Sequence, residues 1–402
     1  MLQYENYHCH TSISNCLTQT DSCMAIEDYA KVYRERGHHV LCISEHGNRS
    51  NVWQQFELAK KYSDDTFKMT PLAAAEAYFV PDRKEKDNRN FHLILVAKNM
   101  EGFYQLNEIL SEANLSGYYY RARVDFELLY KLNPKNFICT TACMAGVLRD
   151  ENYETYCNQL HDIFKENFYL EIQHHRQESQ KVINRKAAEL SKRNKWPLIY
   201  GTDSHYIKKE DKILRTELML SKGINYGDED EFLLYLPTAD EAYQMLRDQC
   251  VLNRAQIEEA MENTLILREF EGLNFTTEKK IPNAYPELTL EERNLLYKEL
   301  CRKEYERKAG KPTEEEEKEM NEEISAVTDT NTADYFLTAK KVVDKAIENG
   351  GVLTKTGRGS GSSFCTNFSL GFTSLNRLHS PVKLYPERFI SRERMASGTL
   401  PD

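Results

Sequence analysis

A chain of 402 residues, 40% of them hydrophobic and 29% charged, can bury a sizeable core and is expected to fold into at least two domains. Its formal net charge of −10, from 63 acidic and 53 basic residues, argues against a surface coated with cations for non-specific nucleic-acid binding, although a local basic surface would still fit. The sequence shows no apolar run near the roughly 18 residues of a membrane span and no signal-peptide pattern. Its ten scattered cysteines indicate reduced thiols in a cytoplasm.

Strand-like and helix-like segments alternate along the first part of the chain, up to about residue 270. Apolar, β-rich runs predict strands at 40–43, 92–96, 137–140, 168–172 and 198–200. Amphipathic patterns between them predict helices at 26–36, 102–113 and 180–193. Such alternation favours a parallel sheet or an α/β barrel, in which chemistry lies at the carboxyl ends of the strands.

The remainder of the chain has a different texture. Four consecutive glutamates at 314–317 predict the solvated face of a charged helix. A stronger amphipathic helix is expected from about 333 to 349, ending at Gly350-Gly351. Its predicted buried side consists of Tyr335, Phe336, Val342, Val343 and Ile347. We therefore expect two domains, residues 1–270 and 271–402.

Residue types that bind metals recur near the ends of the predicted strands. The series begins with His8 and His10 and continues with His46, Glu76, His92, Cys143, Asp203 and His205. Imidazole and carboxylate suit zinc, manganese or iron, and a thiolate adds a preference for the softer ions. Two or three such ions can bind a phosphate, polarise it and supply a hydroxide nucleophile at neutral pH. The spacing predicts one multinuclear site collected from many strands.

Some members of the pattern have a simpler interpretation. Taken alone, Cys143 would be a small buried hydrophobe. The pairs His38/His39 and His174/His175 are expected to be surface or structural residues.

Five segments carry a resemblance to a known family. They are Tyr7-His8-Cys9-His10-Thr11, Ser44-Glu45-His46-Gly47-Asn48, Glu76-Ala77-Tyr78, His92-Leu93 and Thr202-Asp203-Ser204-His205-Tyr206. In this order they resemble the polymerase-and-histidinol-phosphatase (PHP) domain. The flanking residues 95–99 and 168–173 are most similar to the version found in bacterial replicative DNA polymerase III α-subunits, which are C-family polymerases.

This resemblance implies an α/β fold, a distorted seven-stranded (β/α) barrel, that holds two to three Zn²⁺, Mn²⁺ or Fe ions. By motif match, the ligands would be His8, His10, His46, Glu76, His92, Cys143, Asp203 and His205. The family usually has a further ligand after the first motif, where this chain reads Asn15-Cys16-Leu17. Asp21 is the preferred substitute and Cys16 the second. Glu45 also replaces the usual Asp of the second motif.

A glycine- and serine-rich segment, residues 356–363, lies between two predicted helices. On its residues alone it can be a flexible linker or a phosphate-binding loop. Together with 334–337 and 384–389, it resembles the first part of the nucleotidyltransferase-like α+β palm of the same polymerases. The resemblance implies that Arg358, Gly359 and Ser360 contact the triphosphate of the incoming nucleotide. It also implies that Asp402 is the first of the aspartates that hold catalytic Mg²⁺.

The resemblance therefore implies the N-terminal portion of a replicative DNA-directed DNA polymerase from a bacterium or phage. Its near-complete PHP metal site would suit the hydrolysis of phosphoesters, by a nuclease such as a 3′–5′ exonuclease or by a phosphatase. Two-metal nucleotidyl transfer needs more than one aspartate, so these residues alone should not synthesise DNA. We expect a fragment, or one half of a split gene completed by a partner polypeptide. The expected partners are DNA primer-template, dNTP, the sliding clamp and other replisome subunits, with no membrane. A free-standing PHP phosphoesterase and a purely structural metal site remain alternatives.

Overall fold

A computed structural model describes residues 2–16, 22–224, 231–276, 281–353 and 359–400 of the chain. The chain divides into two compact units, residues 1–276 and 277–402. None of the helices within the described ranges is long and apolar enough to cross a membrane.

The first unit is built on one seven-stranded sheet. Its strands are β1 (Val40–Ile43), β2 (Thr70–Phe79), β3 (Phe91–Ala97), β4 (Arg123–Val124), β5 (Phe137–Thr140), β6 (Phe168–Ile172) and β7 (Leu198–Tyr200). The strand order is β1-β2-β3-β5-β6-β7, and β4 pairs with the end of β2. Strand β3 runs antiparallel to β2 and β5, whereas the other pairs are parallel.

The N-terminal segment joins the two edges of this sheet. The Ser44 amide, just after β1, donates to the carbonyl of Cys9 at 3.1 Å. On the other side, the His10 amide donates to the carbonyl of Ser204, just after β7, at 2.9 Å. The sheet is therefore curled into a half-barrel, and the segment around Cys9 bridges its first and last strands. The carboxyl ends of β1 and β7 meet at this segment.

Helices cover the sheet. The strands are almost continuously apolar, as expected for strands that are buried on both faces. They are α1 (Ile26–Arg36), α2 (Val52–Lys61), α3 (Met100–Leu115), α4 (Phe126–Leu129), α5 (Tyr153–Phe164), α6 (Glu178–Asn194), α7 (Lys212–Ser221), α8 (Ala239–Asp248) and α9 (Arg254–Glu262). Asn99 caps α3 by accepting from the Gly102 amide at 2.9 Å. A side chain at Gly102 would meet the Asn136 carbonyl at 2.6 Å, so the close approach of α3 to the 3-10 turn before β5 needs glycine.

All regular elements described in the second unit are helical. They are α10 (Leu290–Ala309), α11 (Glu314–Asp329), α12 (Ala333–Glu348), α13 (Cys365–Leu370) and α14 (Arg392–Ala396). Tyr297, Phe336 and Phe364 are fully buried in their shared core. The 314–317 glutamates form the first turn of α11, and three of them are exposed, as predicted, whereas Glu316 is partly buried.

A buried carboxylate organises the core of the second unit. Glu323 accepts hydrogen bonds from the amides of Cys365 and Thr366, at 2.9 and 3.0 Å, and so caps the start of α13. Arg377 donates to the same carboxylate at 2.7 Å. Burial raises the pKa of Glu323, although Arg377 and the two amides act against that rise.

The predicted fold class, a seven-stranded PHP-type barrel followed by a palm-like region, is confirmed. Two details differ. The sheet is mixed rather than parallel, because β2 and β3 are joined directly without a covering helix. The predicted buried side of α12 was partly wrong, because Val342 is 64% exposed and Ile347 is 48% exposed within this unit, while Leu337 is buried.

Candidate metal centre

The eight metal-ligating residues predicted from motif order lie together at one end of the curled sheet. His8 and His10 come from the bridging N-terminal segment, and the others come from strands or from the loops that follow them. Six of these side chains are almost completely enclosed, and the side chain of Asp203 is 13% exposed and that of His92 16%. Residues separated by as much as 197 positions therefore meet in one buried polar cluster.

Glu76 lies at the centre of this cluster. Its Oε1 is 3.3 Å from Nε2 of His8 and 2.9 Å from Nδ1 of His92. Its Oε2 is 3.2 Å from Nε2 of His10 and 2.8 Å from Nδ1 of His46. The two oxygens therefore face different imidazoles, and Glu76 belongs to two groups of potential metal ligands.

The thiol predicted as a ligand also reaches this centre. Sγ of Cys143 lies 3.3 Å from Nδ1 of His92 and 3.4 Å from Oε1 of Glu76. Cys143 is held in a turn after β5 by the bond from the Gly146 amide to its carbonyl, at 2.8 Å. A side chain at Gly146 would meet the Thr141 carbonyl at 2.0 Å, so this turn requires glycine.

The opposite wall of the cluster is formed by three imidazoles and an aspartate. The ring of His10 stacks on that of His46, with centroids 4.3 Å apart, and lies 4.6 Å from that of His205. Oδ1 of Asp203 is 3.2 Å from Nε2 of His8 and 3.3 Å from Nε2 of His10. Asp203 has φ +49°, a conformation that non-glycine residues rarely adopt and that often marks a functional site.

Glu171, in β6, supports the cluster from behind. Its carboxylate accepts from Tyr7 Oη at 2.8 Å, Thr140 Oγ1 at 2.6 Å and Gln173 Nε2 at 2.8 Å. It also lies 2.6 Å from Nδ1 of His8. An acceptor at Nδ1 places the proton of the neutral ring there, so Nε2 presents its lone pair to the cluster.

Glu45, the unusual acid of the second motif, ties two loops together. It accepts from the Thr11 amide at 3.1 Å and from Nδ2 of Asn51 at 2.7 Å. The hydroxyls of Thr11 and Ser14 also donate to it. The longer acid therefore does not point at the cluster but fixes the loop that follows His10.

The carboxylates of the cluster stay ionised despite burial. Burial would raise the pKa of Glu76, but the surrounding imidazoles, His92 first and then His46 and His8, hold it well below its ordinary range. Burial acts in the same way on Asp203, whose pKa is held well below its ordinary range by His8 and by a hydrogen bond from His10. Two buried carboxylates thus carry negative charge in a low-dielectric cavity, which attracts cations.

The pKa values of the His8 imidazole and the Cys143 thiol are raised instead. Burial would lower the pKa of His8, but Glu171, Asp203 and Glu76 hold it well above its ordinary range. Burial, followed by the charges of Glu76 and Asp203, raises the pKa of the Cys143 thiol well above its ordinary range. Metal binding would therefore displace protons from this cluster.

The donor set fits divalent cations. Three groups of potential ligands, with their donor atoms within 4.8 Å of one another, are His10/His46/His205, His8/His10/Glu76 and His46/Glu76/His92. Nε2 of His8, Nε2 of His10 and Oε2 of Glu76 are buried without a well-aligned hydrogen-bond partner, although they lie close to one another. Buried polar atoms without partners are costly and rare, and a shared cation would satisfy all three.

The remaining predicted residues have different outcomes. Asp21, Arg358 and Asp402 lie outside the described residues, and so does the side chain of Cys16. Gly359 has φ +74° and precedes a 3-10 turn, Ser360–Ser363, that leads into α13.

The paired histidines outside the predicted ligand set have structural contacts. His174 is buried between Tyr200 Oη, 2.8 Å from Nδ1, and the Leu233 carbonyl, 2.9 Å from Nε2. His175 is also buried, and its Nδ1 accepts from the Leu233 amide at 3.2 Å. His38 is buried, and Nδ1 of His39 lies 3.1 Å from the Lys68 carbonyl.

Sequence reasoning did not identify Glu171 as part of this site. Its only signal was an acid inside the otherwise apolar strand 168–172, in a sheet expected to be buried on both faces. Tyr78 was also missed as a neighbour, although it shares a strand face with Glu76 because residues two apart point the same way. The ring of Tyr78 lies 5.4 Å from that of His92.

Comparison with known proteins gives two family matches. The family model of the PHP domain matches residues 6–175, and that of the bacterial DNA polymerase III alpha NTPase domain matches residues 294–402. Asp203 and His205 lie beyond the residues of the first match, and their contacts with His8 and His10 place them in the cluster.

Curated relatives match nearly the whole chain. It is 28% identical to the DNA polymerase III subunit alpha of Aquifex aeolicus (strain VF5) and 26% identical to that of Borreliella burgdorferi, over 98% of this chain and 35% of each relative. It is 26% identical to that of Treponema pallidum (strain Nichols), over 98% of this chain and 34% of the relative. The chain thus spans about a third of the length of these relatives.

Proposed function

We propose, from the premise that this chain joins a PHP domain to the NTPase domain of bacterial DNA polymerase III alpha subunits, that its metal centre hydrolyses phosphodiester bonds in DNA. The resemblance inferred from the motifs is confirmed at the level of these two domains. The substrate we favour is the 3′ end of a DNA strand, which would make the activity a 3′–5′ exonuclease.

One observation carries this proposal: Glu76 directs its two oxygens to different groups of imidazoles. A purely structural metal site normally saturates one ion with four ligands. Here the donors form three overlapping groups, two of which share Glu76, and this donor set would hold two or three ions.

The protein's own residues would then have separate tasks. Divalent ions held in the cluster would neutralise phosphate charge and activate water for attack. The residues that would hold them are His8, His10, His46, Glu76, His92, Cys143, Asp203 and His205. We propose Asp21, or else Cys16, as the ninth ligand. Glu171 fixes the proton of His8 on Nδ1, away from the ions. We favour Zn²⁺, Mn²⁺ or Fe because imidazoles dominate the donor set.

For the second unit we propose the first part of a polymerase palm. Arg358, Gly359 and Ser360 would contact the nucleotide triphosphate, and Asp402 would hold Mg²⁺ for nucleotidyl transfer. The match of residues 294–402 to the polymerase NTPase domain supports this assignment. We place the boundary between the PHP and palm domains near residue 270, close to the division between the two compact units.

The names of the relatives support a role in DNA replication. We therefore propose DNA primer-template and dNTP as substrates. The proposed partners are further polymerase sequence or a partner polypeptide, the sliding clamp and other replisome subunits. The expected location is the cytoplasm.

A nuclease assay tests the hydrolytic proposal. Purified protein stripped of metal and reloaded with Mn²⁺ or Zn²⁺ should shorten a 5′-labelled DNA strand from its 3′ end. His10→Ala removes a ligand shared by two of the three donor groups and should abolish this shortening. His39→Ala, a partly exposed histidine outside the cluster, is the matched control. Full metal occupancy without any metal-dependent hydrolysis would favour the structural alternative instead.

A further inference from the structure

We propose that the loop at 117–121 is a stacking platform that guides single-stranded DNA to the metal centre. This inference rests on the proposed function and names the form of its substrate. The loop reads Gly117-Tyr118-Tyr119-Tyr120-Arg121 and connects α3 to β4, the short strand beside the end of β2.

The loop presents aromatic side chains to solvent. Tyr118 is 63% exposed and Tyr120 is 66% exposed, although aromatic side chains usually bury most of their large apolar surface. Tyr120 has φ +58°, a conformation that tyrosine rarely adopts. The ring of Tyr119 packs edge-on against Tyr120 with centroids 4.8 Å apart. The exposed ring of Tyr120 thus packs against a neighbouring ring of its own loop.

Hydrogen bonds from Arg123 fix the position of the loop. The buried guanidinium of Arg123 donates to the carbonyls of Gly117 at 2.9 Å and Arg83 at 2.7 Å, and to those of Glu85 and Asp87 at 2.9 Å each. Its guanidinium also lies 5.4 Å from the Tyr119 ring centroid. A side chain at Gly117 would meet the Arg123 carbonyl at 2.4 Å. Such pre-organisation lowers the entropy cost of binding a ligand.

A cation connects this platform to the metal centre. The guanidinium of Arg121 lies over the ring of Tyr78, 5.5 Å from its centroid. That ring in turn stacks on His46, with centroids 6.0 Å apart. No carboxylate of the described residues pairs with Arg121 within ion-pair distance, although the chain carries ten more acidic than basic residues. Nη1 of Arg121 donates to the Tyr120 carbonyl at 3.2 Å, within the same loop. The positive charge of Arg121 is therefore not neutralised by an ion pair within the described residues and can attract an anion.

The pairing of β4, β2 and β3 gives the distance between the loop and the metal centre. In the sheet, Arg123 pairs with Tyr78, and Tyr78 pairs with His92. Adjacent strands are about 4.8 Å apart, so the base of the loop lies roughly 10 Å from a predicted ligand. A strand whose phosphodiester occupies the metal centre would bring its next phosphates to Arg121 and its next bases to the exposed tyrosines.

Single-stranded DNA is the ligand that fits these groups. Unpaired bases stack on aromatic rings regardless of sequence, and arginine binds the backbone between them. Duplex DNA hides the faces of its bases, so it could not stack on the exposed tyrosines. A protein partner covering the two tyrosines is the rival occupant.

Fluorescence anisotropy with a short oligothymidylate tests the platform in the full chain with its metal bound. Phosphorothioate linkages keep the strand intact, so the measurement does not depend on hydrolysis. Tyr118→Ala and Tyr120→Ala should each weaken binding about tenfold, the usual effect of losing one stacked base. Arg121→Gln should weaken binding and reduce the salt dependence by about one phosphate contact.

Tyr104→Ala and Tyr130→Ala are the matched controls, because these tyrosines are 59% and 61% exposed outside the loop. They should bind the strand like the wild type. Equal affinity for the loop variants, the controls and the wild type would overturn the proposal and leave the loop to a protein partner. If the wild type binds through the loop but hydrolyses no DNA, the platform stands and the proposed hydrolysis fails.

Discussion

Nδ1 of His8 lies 2.6 Å from Oε1 of Glu171, and both side chains are completely buried. The pair joins the N-terminal segment to β6 and leaves Nε2 of His8 facing Glu76 and Asp203. A carboxylate behind a metal-binding imidazole orients the ring and increases its basicity. Glu171 should therefore control metal affinity without touching a metal.

The substitution Glu171→Gln tests this role. Its amide keeps the volume but weakens the acceptor at Nδ1, so the metal affinity should fall about 10- to 100-fold. Calorimetric titration with Mn²⁺ or Zn²⁺ measures that affinity. The ¹⁵N shifts of the His8 ring should show a mixed tautomer in the variant.

Glu5→Gln is the control for this experiment. Glu5 is an equally buried carboxylate that accepts from Arg268 at 2.6 Å, away from the cluster. It should change stability but leave metal affinity unchanged. Comparable losses of affinity in both variants would mean that Glu171 acts only through the fold.

Metal removal should destabilise the first unit. A cation bound to the folded cluster stabilises it by about 2.7 kcal/mol when free metal exceeds Kd about a hundredfold. Chelation should therefore lower the unfolding temperature, and added Mn²⁺ or Zn²⁺ should restore it. In Glu76→Gln, which loses the carboxylate at the centre of the cluster, this metal-dependent shift should be nearly absent. A shift of wild-type size in the variant would contradict the central position of Glu76.

Acid should weaken the fold through His174. Burial, reinforced by the nearby charge of His175, lowers the pKa of His174 to about 3. The unfolded chain, with an ordinary histidine pKa of about 6.5, binds the proton more readily. Stability from this residue is thus present above about pH 6.5 and is lost as the pH falls, by on the order of 1 kcal/mol per unit. Denaturant titration of metal-free protein at several pH values measures the loss.

His174→Gln should flatten this part of the pH dependence. His39→Gln, at a partly exposed neighbour of β1, should leave the profile as in the wild type. If His174→Gln keeps the full acid sensitivity, other groups are responsible for it.

The buried ion pair of the second unit predicts a large effect of one substitution. Arg377→Ala would leave Glu323 buried without its cation and should destabilise this unit by about 3–5 kcal/mol. Exchange of the Cys365 and Thr366 amides, which bond to Glu323, reports the loss by hydrogen-exchange mass spectrometry. Arg392→Ala breaks an exposed pair with Asp329 and should cost at most about 1 kcal/mol. Equal exchange in both variants would contradict this role of Arg377.

Some parts of the structure were readable from sequence, and others were not. Strands β1 and β5 were predicted to the residue, because short apolar runs bounded by polar residues define them. Strand β2 was missed because its three consecutive alanines have little β-propensity and its burial on both faces removes alternation. Since Glu76 lies in β2, its central position could not be inferred from spacing.

The same limit applies to side chains that act through others. Convergence of the ligands was predictable, because residues after parallel strands meet at one end of a barrel. The contact between His8 and Glu171 was not predictable. A glutamate within a strand looks the same in the sequence whether it orients a metal ligand or simply faces solvent. For α12, apolar spacing was compatible with a broad face, and the packing of Phe336 and Leu337 selected one side of it.

The bridging position of Cys9 has a consequence for the order of events during synthesis. His8 and His10 are translated before the residues they contact, because Glu171 and Asp203 are made more than 160 residues later. Because this contact closes the sheet, the nascent chain has no complete cation-binding cavity until β7 has left the ribosome. Metal loading would then be a late event that reports completion of the first unit, and it would protect the finished barrel from reopening.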